Sequence, residues 1–296
     1  MKTISTRLAA ARIWKDLTQT QLAELSGLSQ GLVSKLESGH LPLDARRASV
    51  LGPLLNVEPD LLVGPAPAVE IRHLAKSALS ERVRNKLAAA LTINTANALR
   101  TVGDTLPDLP TAATVAPDSA PDGPESARRL RTAWKVPAGP IPHLVNLLER
   151  HGVSFYPNDM TYAQLDALAS SPIGHRVIMQ INRRSNREDV RVAVAHELGH
   201  AVMHSTPSVS AEREADRFAA ELLFPSEQTG RLLFNLSIAS LDDIEGEWGV
   251  PASVILNRAR DDGRLTSRGL RHLRAGLEAA SLAAERSSRP VELPSP

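Results

Sequence analysis

Arg187-Glu188-Asp189-Val190-Arg191-Val192-Ala193-Val194-Ala195-His196-Glu197-Leu198-Gly199-His200-Ala201-Val202-Met203-His204 is the stretch whose reading settles the architecture. At about 100° per residue, Val190, Val194, Leu198, Ala201 and Val202 fall on one face, and His196, His200 and His204 fall on another. Ser185 and Glu188 read as a capping box at its start, and Thr206-Pro207 as its stop. The spacing therefore predicts a helix with a buried side and a polar side. Within it, His196-Glu197-Leu198-Gly199-His200 sets two imidazoles one turn apart, so that both rings reach a single metal ion, with a carboxylate less than a turn away. His204 lies about 12 Å along the axis from His196, too far for one ion to span both. It is read as a polar residue at the helix end, with contact to substrate or to a ligand side chain as the sharper alternative.

A second helix is predicted over 211–223, with Ala215, Phe218, Ala219 and Leu222 on its core face. Glu212 and Asp216, four residues apart, border that face, whereas Glu214 and Glu221 are expected to project away from it. Glu212 is the better third metal ligand, and Asp216 is expected to accept a hydrogen bond from a ligand imidazole and fix its tautomer. Cysteine is absent, so His and carboxylates are the only strong metal ligands, and disulfides and thiolate nucleophiles are excluded. Three protein ligands leave Zn2+ an open position for water, with Glu197 as the catalytic base that takes the water's proton and passes it to a leaving amine. Tyr156, Tyr162, His175 and His204 are candidates for stabilising the developing oxyanion.

The string from His196 to His204, Glu212 and Asp216 after it, and then Phe218-Ala219-Ala220-Glu221-Leu222-Leu223-Phe224-Pro225 resemble the ImmA/IrrE family of metallo-endopeptidases, gluzincin-like enzymes. The similarity spans 126–276, including Gly139-Pro140-Ile141-Pro142 and Glu247-Trp248-Gly249-Val250-Pro251. Phe224 stands where the family often has Met. The resemblance implies zinc at His196, His200 and Glu212, catalysis by Glu197, and cleavage of a regulatory protein, often a repressor. It also implies a substrate lying along an edge strand, for which 177–181 is the choice.

Upstream, short strands are read at 152–156, 165–168 and 177–181. Pro107, Pro110, Pro117, Pro121 and Pro124 sit among small and acidic residues over 103–124, a composition of a flexible tether. Before it, 70–100 is helical and basic, with Arg72, Lys76, Arg82, Arg84, Lys86 and Arg100 against Glu70 and Glu81. It is read as a solvated connector ahead of a phosphate-binding one. Thr18-Gln19-Thr20-Gln21-Leu22-Ala23-Glu24-Leu25-Ser26-Gly27-Leu28-Ser29-Gln30 gives an N-cap, a short helix, a Gly turn and a second N-cap at Ser29. Leu8, Leu22, Ala23, Leu25, Leu28, Val33 and Leu36 supply its small core. With Leu36-Glu37-Ser38-Gly39 behind it, this string resembles the Cro/CI or XRE family of helix-turn-helix domains. The resemblance implies that Gln19 approaches a phosphate while Gln30, Ser34 and Lys35 enter the major groove of operator DNA. Gly31 departs from the longer polar side chain often found there.

The whole is read as mainly α in two domains: an N-terminal all-α helix-turn-helix bundle and a C-terminal α+β gluzincin-like zinc peptidase with a small sheet. The boundaries expected are 1–64 for the DNA-binding domain, 65–125 for the basic helical connector and Pro-rich linker, 126–280 for the peptidase domain and 281–296 for a disordered tail. Hydrophobic residues make up 42% of the 296 and aromatics only 3%, so the cores rest on Leu, Val, Ile and Ala. A net charge of +1 leaves any DNA contact to a local patch. No apolar run reaches membrane length, and a cytoplasmic protein is expected. The expected partners are operator DNA and a repressor- or antitoxin-like protein substrate, with a homodimer expected from two-fold operators. The alternative is a non-proteolytic repressor or antitoxin whose metal site is structural or sensory.

Overall fold

The computed structural model describes residues 4–67, 79–101, 122–160, 163–170, 177–204 and 209–288. The N-terminal helices are α1 (Arg7–Trp14), α2 (Gln19–Ser26), α3 (Gln30–Glu37), α4 (Ala45–Leu55) and α5 (Pro59–Leu62). Their starts follow from their caps. Thr18 and Gln21 form a reciprocal capping box, and Ser29 accepts from Leu32 N–H. Between α2 and α3 the chain turns through Gly27 at φ 70°, a left-handed conformation that glycine adopts without penalty. Leu8, Leu22, Val33, Leu36, Leu51 and Leu55 fill the core. Leu25, expected inside, is 56% exposed: the buried face of α2 is centred between Leu22 and Ala23, and Leu25 stands on the far side from Ala23.

The long helix α6 (Glu81–Thr101) departs from the solvated connector expected there. Every residue from Leu87 to Ala96 is buried. Ala89, Ile93 and Ala96 complete the N-terminal core, whereas Leu87 packs with Met160 and Leu168, and Leu91 and Ala98 pack on Ile178. That stretch carries no charged residue, as a helix enclosed on all sides requires, and the basic residues confine themselves to its ends. The Pro-rich stretch expected to be a tether is largely outside the described residues. Its last residues start α7 (Gly123–Ala133), with Pro124 in the first turn, where its missing N–H costs nothing.

The C-terminal half continues through α8 (Leu144–Glu149), β1 (Val153–Asn158), β2 (Ala167–Ala169), β3 (Val177–Asn182), α9 (Arg187–Met203) and α10 (Val209–Leu223). The C-terminal helices α11 (Ser226–Thr229), α12 (Ile238–Trp248), α13 (Ala252–Asp261) and α14 (Ser267–Ser288) follow. Helix α14 runs past the boundary expected at 280, as its Leu, Ala, Glu and Arg content favours. The sheet order is β1-β3-β2, with β1 parallel and β2 antiparallel to β3. Strand β3, the edge strand expected for substrate, is therefore central, and β2 is an edge. Its period-2 alternation sends Val177 and Met179 into the core beneath α9 and Ile178 and Gln180 toward α6. The sheet is thus covered on both faces.

Two buried arginines brace this half. Arg131 on α7 donates to the carbonyls of Leu222, Pro137 and Gly139 at 2.7–2.8 Å. Arg191 on α9 donates to those of Ile141 and Gly249, both at 2.8 Å. Burial lowers the pKa of both guanidiniums. Arg191 thereby ties the two motif-bearing segments around Ile141 and Gly249 to the helix that carries the histidines.

Candidate functional site

Helix α9 begins at Arg187, but its cap is Asn186 rather than the expected Ser185: Asn186 accepts from Asp189 N–H at 2.7 Å, while Ser185 turns its hydroxyl to Asp166. It ends at Met203, and Thr206 and Pro207 lie outside the described residues. The face expected to be polar is also covered, with His196 at 8%, Glu197 at 6% and His200 at 3% exposure. Helix α10 crosses α9 at Gly199. A Cβ there would meet the Phe218 ring at 3.0 Å and the Ala215 Cα at 3.3 Å. This close crossing brings Glu212 to the histidines.

The Nε2 atoms of His196 and His200 are 3.0 Å apart. Glu212 oxygens lie 3.5 Å from His196 Nε2 and 4.0 Å from His200 Nε2. A tetrahedral ion with bonds near 2.0–2.2 Å holds its ligand atoms roughly 3.3 Å apart, so these separations fit one divalent metal. The donor set of two imidazole nitrogens and one carboxylate oxygen is one that zinc accepts, and Glu212, only 8% exposed, is a position where a dication offsets the cost of burying negative charge. His196, His200 and Glu212 together could hold such an ion.

Around this triad each ring has a second contact. Asp216 Oδ1 lies 2.8 Å from His196 Nδ1, leaving Nε2 directed at the triad centre. His204 Nδ1 lies 3.0 Å from His200 Nδ1. His204 is therefore not a mere helix-end residue but backs the second imidazole. Glu197 accepts a hydrogen bond from the Ala169 N–H of edge strand β2, through Oε2 at 3.1 Å. Sequence reasoning missed that contact, since 28 residues separate the pair and no periodicity links them.

Other expectations are corrected. Tyr156 faces α6 with Ile178, on the side of the sheet opposite α9, so it is no oxyanion stabiliser. Tyr162 and His175 lie outside the described residues. Glu221, expected to project outward, is fully buried, pairing with Arg258 at 2.8 Å and Arg128 at 3.1 Å and accepting from Ser226. An outward position on an isolated helix is not outward once α7 and α13 pack around it.

Near the N-terminus a relay of polar groups sets the start of α3. Arg12 forks onto Glu37 at 2.6 and 2.8 Å, and Gln19 Nε2 donates to the same carboxylate at 2.9 Å. A carboxylate only accepts, so Gln19 must turn its carbonyl outward, where Gln30 Nε2 donates to it at 2.9 Å. Gln30 and Lys35 are exposed, and Ser34 lines the same cleft as Gln19.

Residues 148–260 match the family model described as the IrrE N-terminal-like domain, a peptidase family. Residues 8–62 match the model described as Helix-turn-helix. One chain carries both domains. The IrrE-like match runs from the end of α8 to α13 and contains His196, Glu197, His200, Glu212 and Asp216; it is narrower than 126–276, leaving α7 outside. The helix-turn-helix match takes in α1 to α5. The C-terminal half thus has a metallopeptidase-like fold. No match to a curated protein is found. Among the described residues no helix is long and apolar enough to cross a membrane.

Proposed function

We propose that this protein is a DNA-binding transcriptional regulator whose IrrE-like domain is a zinc-dependent endopeptidase acting on a repressor- or antitoxin-like protein. The observation that carries the reading is the convergence of His196, His200 and Glu212 beside a Glu197 carboxylate pinned to an edge strand. Zinc held by those three side chains supplies Lewis-acid polarisation and lowers the pKa of water at the site. Asp216 keeps His196 in the tautomer with Nε2 available, and His204 does the same for His200 by accepting from its Nδ1–H. Glu197 takes a proton from the attacking water and returns it to the departing amine nitrogen, its carboxylate held at a fixed angle by Ala169 N–H. In the β2–β3 ladder Ser170 N–H donates to Ile178 and Asn182 N–H to Asp166, so the Ala169 N–H points the other way, toward α9. An extended peptide added along that outer edge of β2 passes the Glu197 carboxylate, which favours β2 over 177–181 as the strand that aligns substrate. Operator DNA is met by Gln30, Ser34 and Lys35 with Gln19 at the flank, within domains proposed at 1–64 and 126–280.

The test is cleavage of a panel of purified helix-turn-helix repressors by the zinc-loaded protein, read by mass spectrometry, alongside zinc affinity from chelator competition. Glu197→Gln is expected to bind zinc as wild type does while cleaving about 10² to 10⁴-fold more slowly. Equal cleavage by both forms removes Glu197 from catalysis. Zinc binding without cleavage by either form favours a structural or sensory metal.

A further inference from the structure

The basic N-terminal turns of α6 share a cleft with the start of α2 and the C-terminal half of α3. This cleft, of about 900 Å³, has Gln19, Ser34 and Ser38 along one side and Arg82, Asn85 and Lys86 along the other. Between them lies Asp16, just past α1, whose carboxylate receives Arg82 Nη2 at 3.2 Å and also Lys86 Nζ. Asp16 thus engages both cations. The Arg82 side chain is 80% exposed. Its backbone is nonetheless fixed, because the next turns of α6 are locked into the core with Ala89 and Ile93. Glu37, the other carboxylate near Gln19, is already taken up by Arg12. Glu81 also lines the cleft, so the surface suits one or two discrete phosphate contacts rather than a broad basic field.

A duplex seated on α3 carries a phosphate for every ~1.7 Å of its axis, and its backbone must run past whatever flanks that helix. Guanidinium and ammonium groups carried on a fixed backbone and lining the same cleft as Gln19 and Ser34 are suited to neutralise it. We propose that Arg82 and Lys86 bind the DNA phosphate backbone, extending the DNA-contacting surface from the helix-turn-helix onto the helix that also covers the peptidase sheet. This rests on the DNA-binding reading above. Asp16 acts as a built-in competitor that orients both cations until phosphate displaces it.

The experiment is fluorescence anisotropy of the full chain with a mixed-sequence duplex, repeated across a salt series, because each phosphate contact contributes about −0.9 to the slope of log K against log salt. Arg82→Gln is expected to make the slope shallower by about 0.9, and Arg82→Gln with Lys86→Gln by about twice that. Asp16→Asn is expected to tighten binding at every salt concentration. Arg271→Gln on α14, which packs on α12 and α13, changes net charge equally and should leave the slope at its wild-type value. Wild-type binding with an unchanged slope in both α6 variants overturns the proposal alone. Failure of the wild type to bind any duplex removes the helix-turn-helix reading and the proposal with it. Arg82 is exposed enough for its variant to fold, and circular dichroism checks this; Asp16→Asn provides an independent readout in the opposite direction.

Discussion

Glu37 shows how one residue can serve stability and also order the side chains proposed to meet DNA. It is 5% exposed and answers Arg12, itself only 14% exposed, while orienting Gln19 and through it Gln30. Breaking a buried pair by removing one partner costs about 3–5 kcal/mol, because the remaining charge stays desolvated. Glu37→Ala should therefore lower the urea midpoint of the DNA-binding unit and weaken operator binding, with Glu37→Gln falling between. Glu245 ties stability to pH. Burial raises its pKa, the Ala252 N–H pulls it partly back, and the charges of Asp242, Glu188 and Asp189 raise it further. The folded protein then holds that proton more tightly than the unfolded chain. Stability is greatest below the unfolded pKa near 4.5 and falls as pH rises until the folded pKa is passed. In Glu245→Gln, which keeps an acceptor for Ala252, the thermal midpoint should depend less on pH over that window; an unaltered profile would discount Glu245 as its source.

At the scale of elements, the candidate metal site depends on how closely two helices cross. The histidine pair is set within α9, but Glu212 arrives only because α10 touches α9 over Gly199, with the Phe218 ring at 3.0 Å from where a Cβ would stand. Gly199→Ala must shift that ring or separate the helices by a few tenths of an ångström. Overpacking of this kind costs about 1–3 kcal/mol. It should also weaken zinc binding, by moving Glu212 from the imidazoles. Adding Phe218→Leu, which withdraws ring atoms from the contact, should restore part of both, measured by thermal unfolding and chelator competition. Zinc affinity unchanged in Gly199→Ala would show that the crossing does not position the ligand. The spacing of the histidines was legible in the sequence, because it is set by a single helix period. The glycine between them carried no such signal, since its reason lies in another helix.

Across the whole molecule, α6 belongs to two cores. Its Ala89, Ile93 and Ala96 complete the N-terminal bundle, and its Leu87, Leu91 and Ala98 seal the sheet face opposite α9. A fragment ending at residue 67 keeps the segment matched as helix-turn-helix but exposes the surface that Ile93 covers, and burial of one such side chain contributes about 1.5–3 kcal/mol. The 1–101 fragment should melt at a higher temperature than the 1–67 fragment; equal midpoints would mean that α6 adds nothing to the bundle. The sequence holds a clue to this role in Leu87-Ala88-Ala89-Ala90-Leu91-Thr92-Ile93, uncharged on every side, although the charges at the ends of the helix are those of a solvated segment.

From the amino acids alone came the cap positions of α2 and α3, the three strands, the paired histidines with Glu197 between them, and the choice of Glu212. Each depends on residues within one helix turn, one alternation, or one helical face, where local geometry leaves few options. Packing alone decided that β3 is central and β2 an edge, that Glu197 rests on Ala169, that Glu221 is buried between Arg128 and Arg258, and that α6 is enclosed. Those facts depend on which distant segments meet, and a periodic pattern records that a face is apolar without recording what covers it.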